Sequence, residues 1–205
     1  MQLVIDWDGT VTVADTMDMV VRKFGDAALV DRYSDAFIDD SGPLPVTLEH
    51  VVSSELATIK APIEEVVPWL LEHIELRAGF AELVKRHRPL VLSSNVGGLI
   101  EPVLAHFGIE VDLVANELIS ADGSGWKIRF GGATCPICGE NCKRQHLPRG
   151  ELVYVGNGYS DRCPAQAATR VFARSGLARF LDKVGTPYEP FSDFHQIAAA
   201  LEDEL

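Results

Sequence analysis

The amino-acid sequence predicts an α/β fold, in which a parallel sheet carries helices on both faces and a helical cap is inserted after the first strand. Short β-branched apolar runs alternate with segments whose apolar residues recur every three or four positions. Strands separated by helices form βαβ units, and such units give a Rossmann-like parallel sheet. Polar residues follow several of the apolar runs, at the strand ends where parallel sheets bind their ligands.

The elements alternate along most of the chain and are interrupted by one long helical block. The first strand, residues 2–5, runs into a polar turn, and residues 15–74 then show helical periodicity. We therefore expect a core domain of residues 1–11 and 78–205 and a cap domain of residues 12–77. The other predicted elements are a helix at 80–87, a strand at 89–92, a helix at 98–107, a strand at 111–114, a hairpin at 119–130, a strand at 151–155, a helix at 161–168, a strand at 170–173 and a closing helix at 193–204.

Composition and charge exclude several classes of protein. Of the 205 residues, 47% are hydrophobic and 23% are charged, as in ordinary globular proteins, so a disordered or collagen-like chain is excluded. The formal net charge of −12 repels polyanions, and we expect no nucleic-acid partner. No apolar run reaches the length of a membrane span, and Asp6 and Asp8 interrupt the first run before a signal segment could develop. We expect a cytoplasmic protein with no membrane partner, whose oligomeric state the sequence leaves open.

The most specific motif is Asp6-Trp7-Asp8-Gly9-Thr10, which directly follows the first apolar run. A carboxylate at the end of a strand can attack phosphorus, and a second carboxylate two residues on can protonate the leaving oxygen and then activate water. Gly9 allows the sharp turn that brings both acids to one space. The motif predicts Asp6 and Asp8 as catalytic residues. The alternative is an acidic turn that caps the following segment.

Two further polar clusters follow predicted strands. Ser93, Ser94 and Asn95 precede a predicted helix, whose free N–H groups and dipole favour phosphate, although an ordinary helix cap has the same composition. The second cluster, residues 156–161, begins like a dinucleotide fingerprint but carries Asp161 where the third glycine belongs. Oxygen ligands suit Mg²⁺, so the second cluster predicts a magnesium site better than a dinucleotide site.

Together these motifs resemble the four ordered motifs of the haloacid-dehalogenase superfamily phosphatases. The helical block resembles the cap of the phosphoserine-phosphatase-like branch of that superfamily. Within this branch, the sequence is also similar to the phosphoethanolamine/phosphocholine phosphatases and to the methionine-salvage phosphatase that acts on a methylthiopentenyl phosphate. The residues that carry the resemblance are Asp6-Trp7-Asp8-Gly9-Thr10, Ser93, Cys135-Pro136-Ile137-Cys138, Asn141-Cys142-Lys143, Gly156-Asn157-Gly158-Tyr159-Ser160-Asp161, Cys163-Pro164, Val171-Phe172-Ala173-Arg174, Tyr188-Glu189-Pro190-Phe191 and Asp193-Phe194-His195.

The resemblance implies Mg²⁺-dependent hydrolysis of a small phosphorylated metabolite through an aspartyl-phosphate intermediate. Asp6 would be the nucleophile and Asp8 the general acid and base. The phosphate-binding group would consist of Ser93, Ser94, Asn95 and Lys143. The metal ligands would be Asp6, Asp8, Asn157 and Asp161.

One position departs from the family pattern, because Asn157 stands where a metal-ligating aspartate is usual. Asparagine keeps one carbonyl oxygen but loses the negative charge, so Mg²⁺ affinity should fall unless Asp161 enters the coordination shell. This departure supports an alternative function, a catalytically weakened protein that binds a phosphate ligand.

The cysteines suggest a second metal. Cys135, Cys138, Cys142 and His146 have a spacing that can hold zinc tetrahedrally, which would suit a zinc-containing interaction module. Disulfides are disfavoured in a cytoplasmic protein. The alternative is that reduced thiols line the phosphate pocket, because Cys142 directly precedes Lys143.

Overall fold

A seven-stranded sheet forms the centre of the structure, a computed structural model that describes residues 1–38 and 46–202. The strand order is β4-β3-β2-β1-β5-β6-β7, and every neighbouring pair is parallel except β3 and β4. The predicted α/β fold with a parallel sheet is therefore confirmed. The strands are β1 (Gln2–Ile5), β2 (Leu90–Val96), β3 (Asp112–Ser120), β4 (Lys127–Arg129), β5 (Leu152–Gly156), β6 (Arg170–Ala173) and β7 (Glu189–Pro190).

Helices cover both faces of this sheet. Successive side chains of a strand point to opposite faces, so β1 supplies Val4 to one apolar cluster and Leu3 and Ile5 to the other. The helices are α1 (Thr16–Phe24), α2 (Ala27–Ile38), α3 (Leu48–Leu56), α4 (Ile63–His73), α5 (Phe80–His87), α6 (Gly97–His106), α7 (Arg162–Ala165), α8 (Ser175–Val184) and α9 (Phe194–Glu202). Buried residues of α7 and α8 pack with Val4, whereas those of α5, α6, α9 and the helices between β1 and α5 join Leu3 and Ile5.

The inserted helices α1 to α4 leave and rejoin the sheet through a short two-stranded stem. Thr12 and Leu76 form an isolated antiparallel bridge, and the Val13 N–H donates to the Glu75 carbonyl at 2.9 Å. The Arg77 guanidinium donates to the carbonyl oxygens of Thr10 at 2.8 Å and Gly9 at 2.9 Å. The stem therefore begins directly behind the Asp6–Thr10 turn. The division into domains at residues 12 and 77 stays a prediction, and residues 39–45 of the predicted cap lie outside the described residues.

Several predicted boundaries were wrong. β2 runs through Val96, so Ser93 to Asn95 form the irregular end of a strand rather than a helix cap. The predicted strand at 111–114 and the first arm of the hairpin are one strand, β3, and the predicted helix at 161–168 shortens to the four residues of α7. The elements α8 and β7 were not predicted, although Leu177 and Leu181 stand one helical turn apart and are buried. Residues 203–204 of the predicted closing helix lie outside the described residues.

Over residues 1–38 and 46–202, none of the helices has the length and apolar character needed to cross a bilayer.

Candidate active site

Asp6 and Asp8 lie at the carboxyl end of β1, the central strand. From β1 the strands are added toward one edge of the sheet as β2, β3 and β4 and toward the other edge as β5, β6 and β7, and such a switch point is where open α/β sheets bind ligands. Gly9 turns the chain at a φ of +70°, and a Cβ atom there would lie 2.3 Å from Nδ2 of Asn157. Only glycine satisfies both conditions, so the turn that presents the two acids depends on it.

Hydrogen bonds from three donors hold the Asp8 carboxylate. Oδ1 accepts from the Thr16 N–H at 2.9 Å and from the Thr16 hydroxyl at 2.5 Å, and Oδ2 accepts from Nδ2 of Asn95 at 3.1 Å. Burial raises the pKa of Asp8, although these donors act in the opposite direction. Nδ2 of Asn95 also donates to the Thr16 hydroxyl at 3.0 Å. The Asn95 amide therefore orients Asp8, and its predicted role as a phosphate ligand stays a prediction.

Lys143 is a buried cation between two buried carboxylates. Its side chain is 3% exposed, and its ammonium donates to Oδ1 of Asp6 and, at 2.7 Å, to Oδ1 of Asp161. Burial opposes the charged form, but the two carboxylates more than offset it and raise the pKa of Lys143. Burial and the neighbouring Asp161 raise the pKa of Asp6 to about 7, while Lys143 works against that rise. The structure thus places this lysine in the site and not on the surface.

Asp161 stabilises the loop after β5, and each of its two carboxylate oxygens accepts two hydrogen bonds. Its Oδ1 accepts from Lys143 and from the Tyr154 hydroxyl, both at 2.7 Å, and its Oδ2 accepts from the N–H groups of Asn157 and Gly158, both at 2.9 Å. All four partners belong to buried or partly buried groups. In this structure Asp161 therefore positions Lys143 and the loop, and its predicted role as a metal ligand stays a prediction.

Asn157 faces the same cavity as Asp6 and Asp8. Its Oδ1 accepts a hydrogen bond from the Thr10 hydroxyl at 3.0 Å, which fixes the orientation of the amide. The surrounding charges fit a divalent cation, since Asp6, Asp8 and Asp161 are balanced within this cluster only by Lys143. The carboxylate of Asp6 and the side-chain carbonyl of Asn157 are oxygen donors of the kind that suits Mg²⁺.

Ser93 and Ser94 lie beside these groups at the end of β2. Both line a small cavity together with Lys143, and Ser94 also lines the larger cavity of Asp6 and Asp8. The Ser93 hydroxyl accepts from the Asn95 N–H at 3.0 Å, which leaves its own proton available to a ligand. The structure therefore brings Asp6, Asp8, Ser94, Lys143 and Asn157 together, with Ser93 at the edge.

The inserted helices close the larger cavity opposite the aspartates. Its volume is about 310 Å³, and its far wall combines apolar side chains with carboxylates. Glu55 of α3 is 4% exposed, and burial together with the nearby Asp18 raises its pKa to about 7. The residues of this wall are Asp15, Met17, Asp18, Tyr33, Leu48, Val51, Val52 and Glu55.

The thiols of Cys135, Cys138, Cys142 and Cys163 all lie within 4.8 Å of one another. Among the described residues, His146 is not part of this group, and its ring instead lies near Gly131. Cys163 takes the fourth position that the sequence suggested for His146. A spacing pattern within one segment cannot reveal a partner that follows the next strand.

Sequence reasoning also missed the side chains that support the aspartates. Thr16, Thr10 and Tyr154 each donate a hydroxyl to a site residue, and Glu55 lines the cavity. Thr10 lies in the first motif, so its position was a usable signal. Thr16 is eight residues from Asp8 and Tyr154 is inside an apolar strand, and neither has a local sequence feature that marks it.

Comparison with known proteins places this site in a family. The family model described as haloacid dehalogenase-like hydrolase matches residues 3–166. Two curated relatives are called 2-hydroxy-3-keto-5-methylthiopentenyl-1-phosphate phosphatase. The protein of Brevibacillus brevis is 24% identical, with 98% of this chain and 94% of that protein covered. The protein of Geobacillus kaustophilus is 26% identical, with 98% and 96% covered.

Solved structures show the same fold. A phosphoserine phosphatase described as a phospho-aspartyl intermediate analogue aligns with a TM-score of 0.70 at 18% identity, and 97% of each chain is covered. A substrate-bound phosphoserine phosphatase complex aligns with a TM-score of 0.70 at 17% identity and the same coverage.

Proposed function

Because the chain belongs to the haloacid dehalogenase-like hydrolase family, we propose that this phosphoric monoester hydrolase acts on a small metabolite by forming an aspartyl-phosphate at Asp6. The observation that carries the proposal is the buried contact of Asp6 with Lys143, next to the hydrogen-bonded Asp8. A nucleophile, an acid and a cation at one strand end are the groups that phosphoryl transfer requires.

The reaction would consist of two displacements at phosphorus. In the first, an oxygen of Asp6 bonds to phosphorus as the bond from phosphorus to the ester oxygen breaks, and the Asp8 carboxylic acid protonates that leaving oxygen. In the second, Asp8 takes a proton from water, and the water oxygen displaces Asp6 and releases inorganic phosphate. Burial raises the pKa of Asp8, which favours the protonated form that the first step needs.

The other residues of the site position these groups. The ammonium of Lys143 holds Asp6 and would attract the oxygens of the phosphoryl group, while Ser93 and Ser94 can donate hydrogen bonds to them. Thr16 and Asn95 keep Asp8 in place. Mg²⁺, when held by Asp6, the Asp8 carbonyl and Asn157, supplies further positive charge to the phosphoryl oxygens.

The cavity wall narrows the choice of substrate. Met17, Val51 and Val52 offer an apolar surface, and Asp18 would repel a second anionic group. A phosphate ester with an uncharged apolar or cationic remainder fits this wall better than a bisphosphate. The curated relatives favour 2-hydroxy-3-keto-5-methylthiopentenyl-1-phosphate, and the structural neighbours make phosphoserine the second candidate.

A panel of phosphate esters tests the proposal. Release of inorganic phosphate would be measured from the methylthiopentenyl phosphate, phosphoserine, phosphocholine, phosphoethanolamine and fructose 1,6-bisphosphate, with Mg²⁺ and with a chelator. We expect turnover of at least one monoester, dependent on Mg²⁺, and weak turnover of the bisphosphate. Equal rates in the chelator would contradict the metal dependence.

Asn157 favours one alternative, a protein that binds a phosphate ligand without turning it over, because it removes a charge from the metal ligands. Calorimetry with each ester distinguishes the two functions. Binding of an ester without phosphate release, in saturating Mg²⁺, would favour the alternative.

A further inference from the structure

A cluster of four thiols lies outside the groups that handle phosphate. Cys135, Cys138 and Cys142 belong to the segment between β4 and β5, and Cys163 belongs to α7. The sulfur atoms of Cys135 and Cys163 are 3.9 Å apart, and all four sulfurs lie within 4.8 Å of one another. A Zn–S bond of about 2.3 Å places the sulfurs of a tetrahedral site about 3.8 Å apart, so the cluster has nearly this size.

The backbone around Cys135 forms a tight turn that directs two thiols to one point. The Gly139 N–H donates to the Cys135 carbonyl at 2.9 Å, and the Cys135 N–H donates to the Glu140 carbonyl at 2.7 Å. Gly139 has a φ of +75°, a conformation that side chains with a Cβ rarely adopt. The turn therefore folds Cys138 back over Cys135, whose own side chain is buried.

We propose that Cys135, Cys138, Cys142 and Cys163 bind one structural Zn²⁺ ion. Four sulfur ligands in a closed, tetrahedral arrangement are typical of structural zinc sites, and they leave no open position for a substrate. Binding converts each coordinating thiol to a thiolate and releases its proton to solvent.

The position of the cluster indicates what the metal would stabilise. Cys142 directly precedes Lys143, and Cys163 lies two residues after Asp161, the ion-pair partner of that lysine. Arg144 already joins the two segments through a 3.1 Å hydrogen bond from its guanidinium to the Cys163 carbonyl. Zinc would add a second, stronger link between the segments that carry Lys143 and Asp161.

Zinc would also stabilise the contact between this cysteine-containing segment and the inserted helices. The Glu140 carboxylate accepts from the Leu48 N–H at the start of α3 at 2.9 Å and from the Tyr159 hydroxyl at 3.1 Å. Glu140 directly follows the Cys135–Gly139 turn. A metal that fixes the turn would also fix these contacts across the cavity.

Metal analysis tests the proposal on the whole protein, purified under reducing conditions from cells supplied with zinc. We expect about one zinc ion per chain in the wild type. The zinc affinity of Cys138→Ser and of Cys163→Ser should be at least about tenfold lower. Cys138 is exposed, so its serine variant should fold even if the buried Cys163→Ser variant does not. His146→Ala is the matched control and should retain the metal.

Two further measurements decide the outcome. Release of zinc from the folded wild-type protein by a mercurial, followed with a metal-binding dye, should occur together with loss of thermal stability. In a separate sample, unfolding in the presence of a chelator followed by thiol alkylation and mass measurement should show four reduced cysteines. Three results would each overturn the proposal: wild-type protein that is purified without zinc and whose four thiols are readily alkylated in the folded state, a disulfide between any two of the cysteines, or loss of zinc in His146→Ala with retention in Cys163→Ser.

Discussion

Lys143 is the residue whose environment contrasts most with its type, since lysines are rarely fully buried. Two buried carboxylates, Asp6 and Asp161, explain its position. Each of the three groups depends on the others, because removal of the cation leaves two uncompensated charges away from water. The same ammonium is needed for stability and, in our proposal, for attraction of the phosphate.

Lys143→Ala should lower kcat/KM at least about tenfold, or 1.4 kcal/mol, because the ammonium that stabilises the transferring group is lost. The free energy of unfolding should also fall by about 3 kcal/mol. Lys143→Arg should recover part of the activity, since it restores charge in a different shape. Steady-state kinetics and urea unfolding measure both effects. Lys127→Ala, at an exposed position, is the control. Wild-type kinetics in Lys143→Ala would show that Lys143 does not take part in the reaction.

Asn157→Asp should lower the Mg²⁺ concentration needed for half-maximal activity, because a charged oxygen replaces a neutral one beside Asp6. The new carboxylate can still accept the hydrogen bond of Thr10. A titration of activity against Mg²⁺ in both proteins measures the change. An unchanged or higher requirement would show that Asn157 is not a metal ligand.

At the scale of the elements, one side chain ties the stem of the insertion to the turn after β1. The Arg77 guanidinium donates to the carbonyls of Gly9, Thr10 and Thr12, and all three lie in the segment that directly follows Asp8. Orientation of the inserted helices is therefore coupled to the position of that turn.

Arg77→Ala should lower the free energy of unfolding by about 1–3 kcal/mol, because three partly buried carbonyl groups lose a charged donor. Arg86→Ala is the matched control. Arg86 pairs with Glu202 on the surface, where the two side chains are 62% and 53% exposed, so its loss should cost less than about 1 kcal/mol. Urea unfolding of the three proteins provides the comparison. Equal losses in both variants would mean that Arg77 has no special role in the stem.

The sequence predicts those elements whose apolar pattern is continuous and local. β1 and β5 are apolar runs that end in polar motifs, and both were predicted within a residue or two. β2 ends in Ser93, Ser94 and Asn95, whose polarity resembles a loop. Contacts with Asp8 and Asn116 allow these residues to stay in the strand.

The residues of the candidate site could be predicted from sequence motifs, but the contacts that they make with one another could not. Asp6, Asp8 and Lys143 belong to motifs, whereas the pairing of Asn95 with Asp8 joins positions 87 residues apart. Whether Asp161 would bind metal or lysine depends on the direction of its side chain, which the backbone turn at Gly158 decides.

At the scale of the whole molecule, the acidic residues that give the net charge of −12 include one that is buried among the inserted helices. Glu55 is this group: burial and the nearby Asp18 raise its pKa from 4.5 to about 7, while the positive charge of Arg22 acts in the opposite direction. A raised folded-state pKa stabilises the protein when the group is protonated. This contribution is complete below about pH 4.5 and is lost as the pH rises to 7.

Glu55→Gln should therefore be more stable than the wild type at pH 8, by about 1 kcal/mol or more, and the difference should shrink at pH 5. Thermal unfolding at the two pH values measures it. Glu72→Gln, on the exposed surface of α4, should show no such pH dependence. A stability difference for Glu55→Gln that is equal at both pH values would show that the carboxyl is not held in its protonated form by burial.

The most direct test of the account is the rate of phosphate release by Asp6→Asn. An amide cannot attack phosphorus, so kcat/KM for p-nitrophenyl phosphate in saturating Mg²⁺ should fall at least about a hundredfold, or 2.7 kcal/mol. The exposed Asp112→Asn is the matched control and should keep the wild-type rate, and circular dichroism should show that both variants are folded. Retention by Asp6→Asn of more than about a hundredth of the wild-type rate would contradict the assignment of Asp6 as the nucleophile.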